Sequence, residues 1–302
     1  MAAFPTGIHT GTTLASFIPA VYGQEINDAF LSRLFMGSFF TDRSSELAGG
    51  GNILYTPNIA ETTATAVSIG TAVDLKQPTD TKITLTVDQH YESSFAIGDL
   101  QAAQVKQSYV LGSRYAQMAG HAVAKKLEVA IASLFSGFSQ SVGSSTATIA
   151  DSDIRKALGY LAAANIETND AENLSFFFDA TVYWNQVMSL DRFVLNVNTP
   201  GGDPVMKGGV GYLYSVPVKS SSNIQYVSGT TGRYNALAHK DAIHFATASL
   251  GLQSEGGMVG SGGVRVQSNY VPEYLTTITT ADIAYGVIEN RDTAGVRILT
   301  SA

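Results

Sequence analysis

Every second residue of KITLTVDQHYESSFAI, residues 82–97, belongs to an apolar-leaning set: Ile83, Leu85, Val87, Gln89, Tyr91, Ser93, Phe95 and Ile97. The other register is Lys82, Thr84, Thr86, Asp88, His90, Glu92, Ser94 and Ala96. Such alternation, with no proline or glycine inside it, predicts one two-faced strand. At about 3.3 Å per residue it would reach roughly 50 Å, against a usual strand of about 5–6 residues. NILYTPNI (52–59) predicts its partner, with Ile53 and Tyr55 on one face. The Thr/Ala-rich segment 60–81, with turn signals at Gly70 and KQPTDT, forms the polar tip between the two arms. A hairpin of this kind cannot bury its own faces, so it is expected to lie against something else.

After Gly98 the period changes from 2 to 3.6. Asp99 suits an N-cap, and no proline interrupts the sequence from Leu100 to Phe135, so the pattern predicts a helix about 54 Å long. Leu111, Tyr115, Met118, Ala122, Leu127, Ile131 and Leu134 form its expected seam, with Gly112 and Gly120 each costing roughly 1 kcal/mol relative to Ala. On the N-terminal side, residues 1–24 read as an extended arm. QEINDAFLSRLFMGSFF (24–40) follows as an amphipathic helix through Ile26, Phe30, Leu34 and Phe35.

Beyond the long helix, SGFSQSVGSSTAT (136–148) has the composition of a flexible linker. A compact α/β region is expected next: a helix over 151–166, a buried strand LSFFFDA (174–180), and a helix over 181–190 carrying the only tryptophan, Trp184. A glycine-rich loop (198–218) leads to strands at 223–229 and 234–249, and a second loose stretch covers 252–266. The tail holds two strands, DIAYGVIE and GVRILTS, about the turn NRDTAG.

Composition changes this picture in one respect. Charged residues make up 14% of the 302-residue chain, against the usual quarter, so much of the exterior is expected to be covered by neighbours rather than water. The net charge of −7 excludes a general attraction to nucleic acid or anionic lipid, and Lys125–Lys126 is the only basic cluster. With no cysteine, disulfides, thiolate catalysis and cysteine metal sites are all excluded. The start lacks a basic n-region and no apolar run reaches the roughly 20 residues of a membrane span, so a soluble protein without a signal peptide or membrane partner is expected.

Candidate chemistry is thin. His90-Tyr91-Glu92 has the H-x-E form of zinc deaminases, but their P-C-x-x-C half is missing, so both residues are read as the polar face of the strand. His9, His90, His121, His239 and His244 form no metal-ligand spacing, and His239 and His244 are expected on opposite faces of one strand region. DSD (151–153) reads as a helix cap. GGDPVMKGG (201–209) lacks the ending of a phosphate loop, and Asn173 begins a lone glycosylation sequon. No catalytic residue, metal ligand or cofactor site is expected, and the chain is read as a non-enzyme. Lys76 and Lys82, near the tip, are read as solvated charges.

The order of elements, an arm, a long hairpin, a long helix, a compact α/β region and a β tail, resembles the major capsid proteins of tailed bacteriophages, of the Hong Kong 97-type α+β fold. FIPAVYGQEINDAFLSRLF is similar to that family's arm-to-helix segment, and GGGNILYTPNI to its Gly-rich lead into the hairpin. LTVDQHYESSFAIGDLQAAQ is similar to its strand-to-helix junction, with Asp99 and Gln104 carrying the match and Gly98 standing where many relatives have an acidic residue.

The resemblance implies an arm and short helix (1–45), an extended hairpin or E-loop (46–97), and a spine helix of a peripheral domain (98–144). A mostly axial domain (145–250) and a return to the peripheral sheet (251–302) complete it. It also implies a homo-oligomer of hexamers and pentamers closing an icosahedral head around double-stranded DNA, without sequence-specific binding. A separate scaffolding protein and a portal are the implied partners, with assembly in the host cytoplasm and the virion as destination. Intersubunit contacts are expected at Phe17, Ile18, Tyr55, Ile69, Leu75, Ile83, Leu85, Val87, Tyr91 and Phe95. The alternatives are an encapsulin-like cellular compartment, a secreted β-rich surface protein, or an enzyme of unrecognised chemistry.

Overall fold

The computed structural model describes residues 31–59, 62–104, 108–190, 211–248, 250, 252–254, 257–259 and 263–302. Contacts separate residues 1–31 from Ser32–Ala302, and the second unit carries everything that follows. In chain order its elements begin with α1 (Met36–Phe39), β1 (Thr41–Asp42), β2 (Ile53–Asn58), β3 (Thr81–Thr86) and β4 (Gln89–Gly98). Next come α2 (Asp99–Gln104), α3 (Ser108–Ser133), β5 (Gln140–Gly143), α4 (Asp151–Ala163), β6 (Leu174–Asp179) and α5 (Ala180–Asn185). Strands β7 (Tyr212–Leu213), β8 (Val216–Ser221), β9 (Tyr226–Ser228), β10 (Thr231–His239) and β11 (Ile243–Thr247) follow. The short pair β12 (Leu252–Ser254) and β13 (Gly257–Val259) precedes β14 (Arg265–Val271), β15 (Thr276–Glu289) and β16 (Gly295–Thr300).

Apart from the separate two-stranded sheets β2–β3 and β12–β13, two large sheets organise these strands. The first runs β1-β11-β15-β14, with β4 on the opposite edge of β15. The second runs β5-β16-β10-β6-β8-β7, with β9 also on β10. The α+β class expected from the sequence is therefore what the chain adopts, with the tail divided: β15 is the spine of the first sheet and β16 an interior strand of the second.

The second sheet is built around LSFFFD, whose six residues are all buried. Strand alternation sends Leu174, Phe176 and Phe178 to one face, where α4 lays Ile154, Ala157 and Leu161 against them. Phe177 points to the other face, into an aromatic cluster with Phe35, Phe39, Phe40 and Phe135 at ring distances of 5.2–6.1 Å. Helix α4 begins at Asp151 with Ala150 at the N-cap, so DSD forms its first turn rather than preceding it, and the Asp153 carboxylate reaches back to accept the Ala150 N–H at 3.3 Å.

Several expectations are corrected. The linker expected at 136–148 contains β5 and the fully buried Phe138, because the parallel pairing of β5 with β16 and the apolar Phe138 and Val142 give it a core to enter. His239 and His244 stand in different strands of different sheets, because Lys240–Ala242 forms a helical turn between them.

The helix expected at 24–40 is only α1 among the described residues; 24–30 lie outside them and 31–35 are not helical. Its start is fixed from a distance, since the buried Glu128 of α3 accepts the Phe35 and Met36 N–H groups at 3.1 and 3.0 Å. The buried seam of α3 passes through Ala119 and Val123, not Tyr115 and Ala122, which are exposed. Small side chains let the helix approach Ala281, Ile283 and Tyr285 closely. The side chain of Leu111 lies outside the described residues.

The largest correction concerns the long strand. It is two strands with different partners, separated at Val87–Asp88. β3 pairs with β2 from Ile53↔Thr86 to Asn58↔Thr81, whereas β4 pairs with β15 from Gln89↔Tyr285 to Gly98↔Thr276. The alternation continues across the break, but the chain must pass from the hairpin over the sheet to its edge. Gly286 marks that passage: a Cβ there would lie 2.1 Å from the Thr86 carbonyl oxygen.

Candidate functional site

The hairpin β2–β3 is anchored at one end and open at the other. At its root Leu85, 2% exposed, packs with Leu47 and Ala246, with Leu54, Val87 and Ile288 around them. The Val87 N–H donates to the Asn52 carbonyl at 2.8 Å. Gly51, with φ +114, supplies the left-handed turn that feeds the chain into β2. Arg43 pairs with Glu46 at 2.8 Å beside this root. The burial of Leu85 alone is worth about 1.5–3 kcal/mol relative to an exposed side chain.

Beyond the root the apolar side chains lose their cover. On β2, Ile53 and Tyr55 share the outer face, as expected, and Tyr55 is 56% exposed under the Lys82 ammonium, 4.5 Å from its ring. The 22 residues between Asn58 and Thr81 have no strand or helix among those described. A turn closed by Thr71 N–H to Ser68 O (3.1 Å) sits in the middle. Here Val67, Ile69, Val73 and Leu75 fall in one alternating register, with Ile69 fully exposed and Leu75 89% exposed. Loops beyond about 12–15 residues are uncommon unless functional, and exposed apolar clusters mark interaction surfaces. Lys76 is paired with Asp74 rather than merely solvated.

Of the residues expected to meet neighbours, Tyr55, Ile69 and Leu75 are exposed, whereas Ile83 is half-buried. Leu85 and Val87 are turned into the chain's own core, because the hairpin root crosses Gly286 and shelters them there. Tyr91 keeps 37% exposure but stacks on Tyr285 at 5.9 Å, and Phe95 packs edge-on to Tyr115 at 5.6 Å, because β4 is built into this chain's own sheet. Phe17 and Ile18 lie outside the described residues. Ile59, Val67 and Val73 are exposed as well, and the period-2 spacing through 67–75 carries the signal for the last two.

The H-x-E pair lies on the polar face of the first sheet. His90 Nε2 is 3.1 Å from Asp282 Oδ2, and Arg265 Nε donates to the other oxygen of Asp282 at 2.9 Å. Hydrogen bonds from Arg265 outweigh burial and, with those from His90, hold the Asp282 carboxyl below its usual value. Glu92 is bonded by Ser94. The other face has a cleft of about 540 Å³ between α3 and the sheet, lined by Phe95, Ile97, Gly112, Ala116 and Thr279. Its carboxylate, Asp99, accepts the Tyr270 hydroxyl at 2.8 Å. Among the described residues no three His, Asp or Glu side chains are grouped to hold a metal ion, and no helix is long and apolar enough to cross a membrane.

No protein-family model matches the chain, and no curated protein matches it by sequence. Solved structures do match. A chain from Mycobacterium phage Che8 superposes with a TM-score of 0.72 at 17% identity, covering 93% of this chain and 97% of the other. A chain in the capsid of Cyanophage P-SCSP1u gives 0.73 at 14% identity over 99% of both. One from the mature capsid of bacteriophage PhiM1 gives 0.72 at 10% identity, over 93% of this chain and 91% of that one. Over almost its whole length, this chain has the fold of phage capsid chains.

Proposed function

We propose that the chain is the major capsid protein of a tailed phage, a non-enzymatic subunit forming hexamers and pentamers that close into an icosahedral head around double-stranded DNA. The observation that carries this reading is an anchored hairpin with an uncovered apolar tip, on a chain whose fold is that of phage capsid chains. In this reading β2 and β3 are the E-loop lying over the next subunit, α2 and α3 the spine of a peripheral domain on the first sheet, and the second sheet the axial domain. The same contact repeated around a ring closes it when the rotation fits. A net charge of −7 suits a container that must not grip the DNA it holds. A scaffolding protein and a portal would be separate partners, with assembly in the host cytoplasm.

Electron microscopy of the expressed chain tests this: rings or closed shells are the expected outcome, and a persistent monomer would overturn it. Deletion of 62–80 is expected to leave a folded protein that no longer closes shells. Normal shells from that deletion would remove the hairpin from the mechanism.

A further inference from the structure

Two stretches of chain cross between the two sheets, another leads from the end of a helix into the second sheet, and all three meet at one junction. They are 137–139, from the end of α3 to β5; Lys240–Ala242, from β10 to β11; and 290–294, from β15 to β16. The second and third are tied by backbone: the Asn290 and Arg291 N–H groups both donate to the Ala242 carbonyl, at 2.8 and 3.2 Å. The first is tied to the third through a carboxylate, since the Ser139 N–H donates to Asp292 Oδ1 at 2.7 Å. From β16, Arg297 donates to the Ser136 carbonyl at 2.9 Å. The Phe138 ring lies over Gly295, where a Cβ would stand 2.3 Å from it.

Glu289, the last residue of β15, is turned into this junction. Its Oε2 would be 2.6 Å from a Cβ on Gly137, at the carbonyl end of the helical turn Leu134–Ser136. Its carboxyl also bonds the carboxyl of Asp292. Two carboxyl groups share a hydrogen bond only if one is protonated. Asp292 already accepts from Ser139 and feels the charge of Arg297, so the proton sits on Glu289, whose O–H donates to Asp292. The partial negative charge of a helix end disfavours ionisation of Glu289 in the same sense.

Burial first, then Asp292, raise Glu289 to about 7. The burial of Asp292 is outweighed by its hydrogen bonds and by Arg297, which hold it low. The remaining charged or titratable groups around the junction are Arg291, Lys240, Asp241, His239 and His244. Burial lowers both histidines from the ordinary imidazole value, against the pull of Asp241.

We propose that Glu289 and Asp292 form a proton latch at the junction of the two sheets. With one shared proton it clamps the β15–β16 crossing to the end of α3; with both groups ionised it releases that clamp. The released state returns Glu289 to its ordinary value of 4.5. The ratio of open to closed junction then rises roughly tenfold per pH unit from about 4.5 to about 7 and is flat above that.

Hydrogen exchange of the full-length chain between pH 5 and 8, corrected for intrinsic rates, tests it at residues 137–139 and 290–294. The wild type is expected to show that rise. Glu289→Gln, whose amide donates to Asp292 at every pH, is expected to abolish it. Asp292→Asn, which removes the neighbouring charge but keeps an acceptor, is expected to move the plateau to lower pH. No rise in the wild type, or the same rise in Glu289→Gln, would overturn the latch. If Glu289→Gln does not fold, an unshifted plateau in Asp292→Asn overturns it alone.

Discussion

Phe177 and Ile69 are both large apolar side chains placed by strand-like alternation, and the chain treats them in opposite ways. Phe177 is fully buried on the central strand of the second sheet, with four phenylalanine rings around it. Ile69 stands on the hairpin tip with nothing over it. Burial of the first stabilises the fold of one subunit. Exposure of the second costs that subunit about as much as covering it would return, so its value lies outside the single chain. Leu85 sits between these extremes, on the same hairpin as the tip but inside the core.

Substitutions separate the two roles, beginning with the largest effect. Phe177→Ala is expected to destabilise by about 3–5 kcal/mol, read as a lowered denaturation midpoint. Leu85→Ala should cost about 2–5 kcal/mol by the same measurement and free the hairpin root, seen as faster amide exchange at Val87.

Asp282→Asn is expected to cost about 1.5–3 kcal/mol through weakened charge-assisted hydrogen bonds. Because the folded carboxyl titrates below its ordinary value, this contribution is present above that value and is lost as pH falls through the folded one. Acid denaturation curves of the wild type and variant should therefore converge at low pH. At the tip, Ile69→Ser with Leu75→Ser should change stability by no more than about 0.5 kcal/mol while shells fail to form in the microscope. A large loss of stability in that double variant would show that the tip belongs to the core after all.

Local pattern made much of this fold readable. Within 89–97 the alternation correctly assigned which residues share a face, and LSFFFD announced a buried strand. Pattern does not carry the choice of partner. Nothing in Val87 or Asp88 states that the chain leaves one sheet for another; the cause is Gly286, some 200 residues away, whose missing side chain opens the crossing. For the same reason 136–148 resembled a linker: its small polar residues are typical of loops, and its strand exists only because β16 arrives beside it. The uncovered register through Val67, Ile69, Val73 and Leu75 was present in the sequence. It passed for a polar tip because threonine, alanine and serine dominate its composition.

The placement of β16 also sets an order in time. β5 has its strand partner more than 150 residues later in the chain, and β16 then lies between β5 and β10. At the usual rate of synthesis, β5 waits roughly 8–30 s on the ribosome for that partner. During this interval the second sheet has an open seam and Phe138 lacks the Gly295 surface it covers in the finished fold. Long-range pairing of this kind makes folding slow and leaves its intermediates prone to aggregation. Protection of the nascent chain until β16 is made is therefore expected to raise the yield of folded subunits.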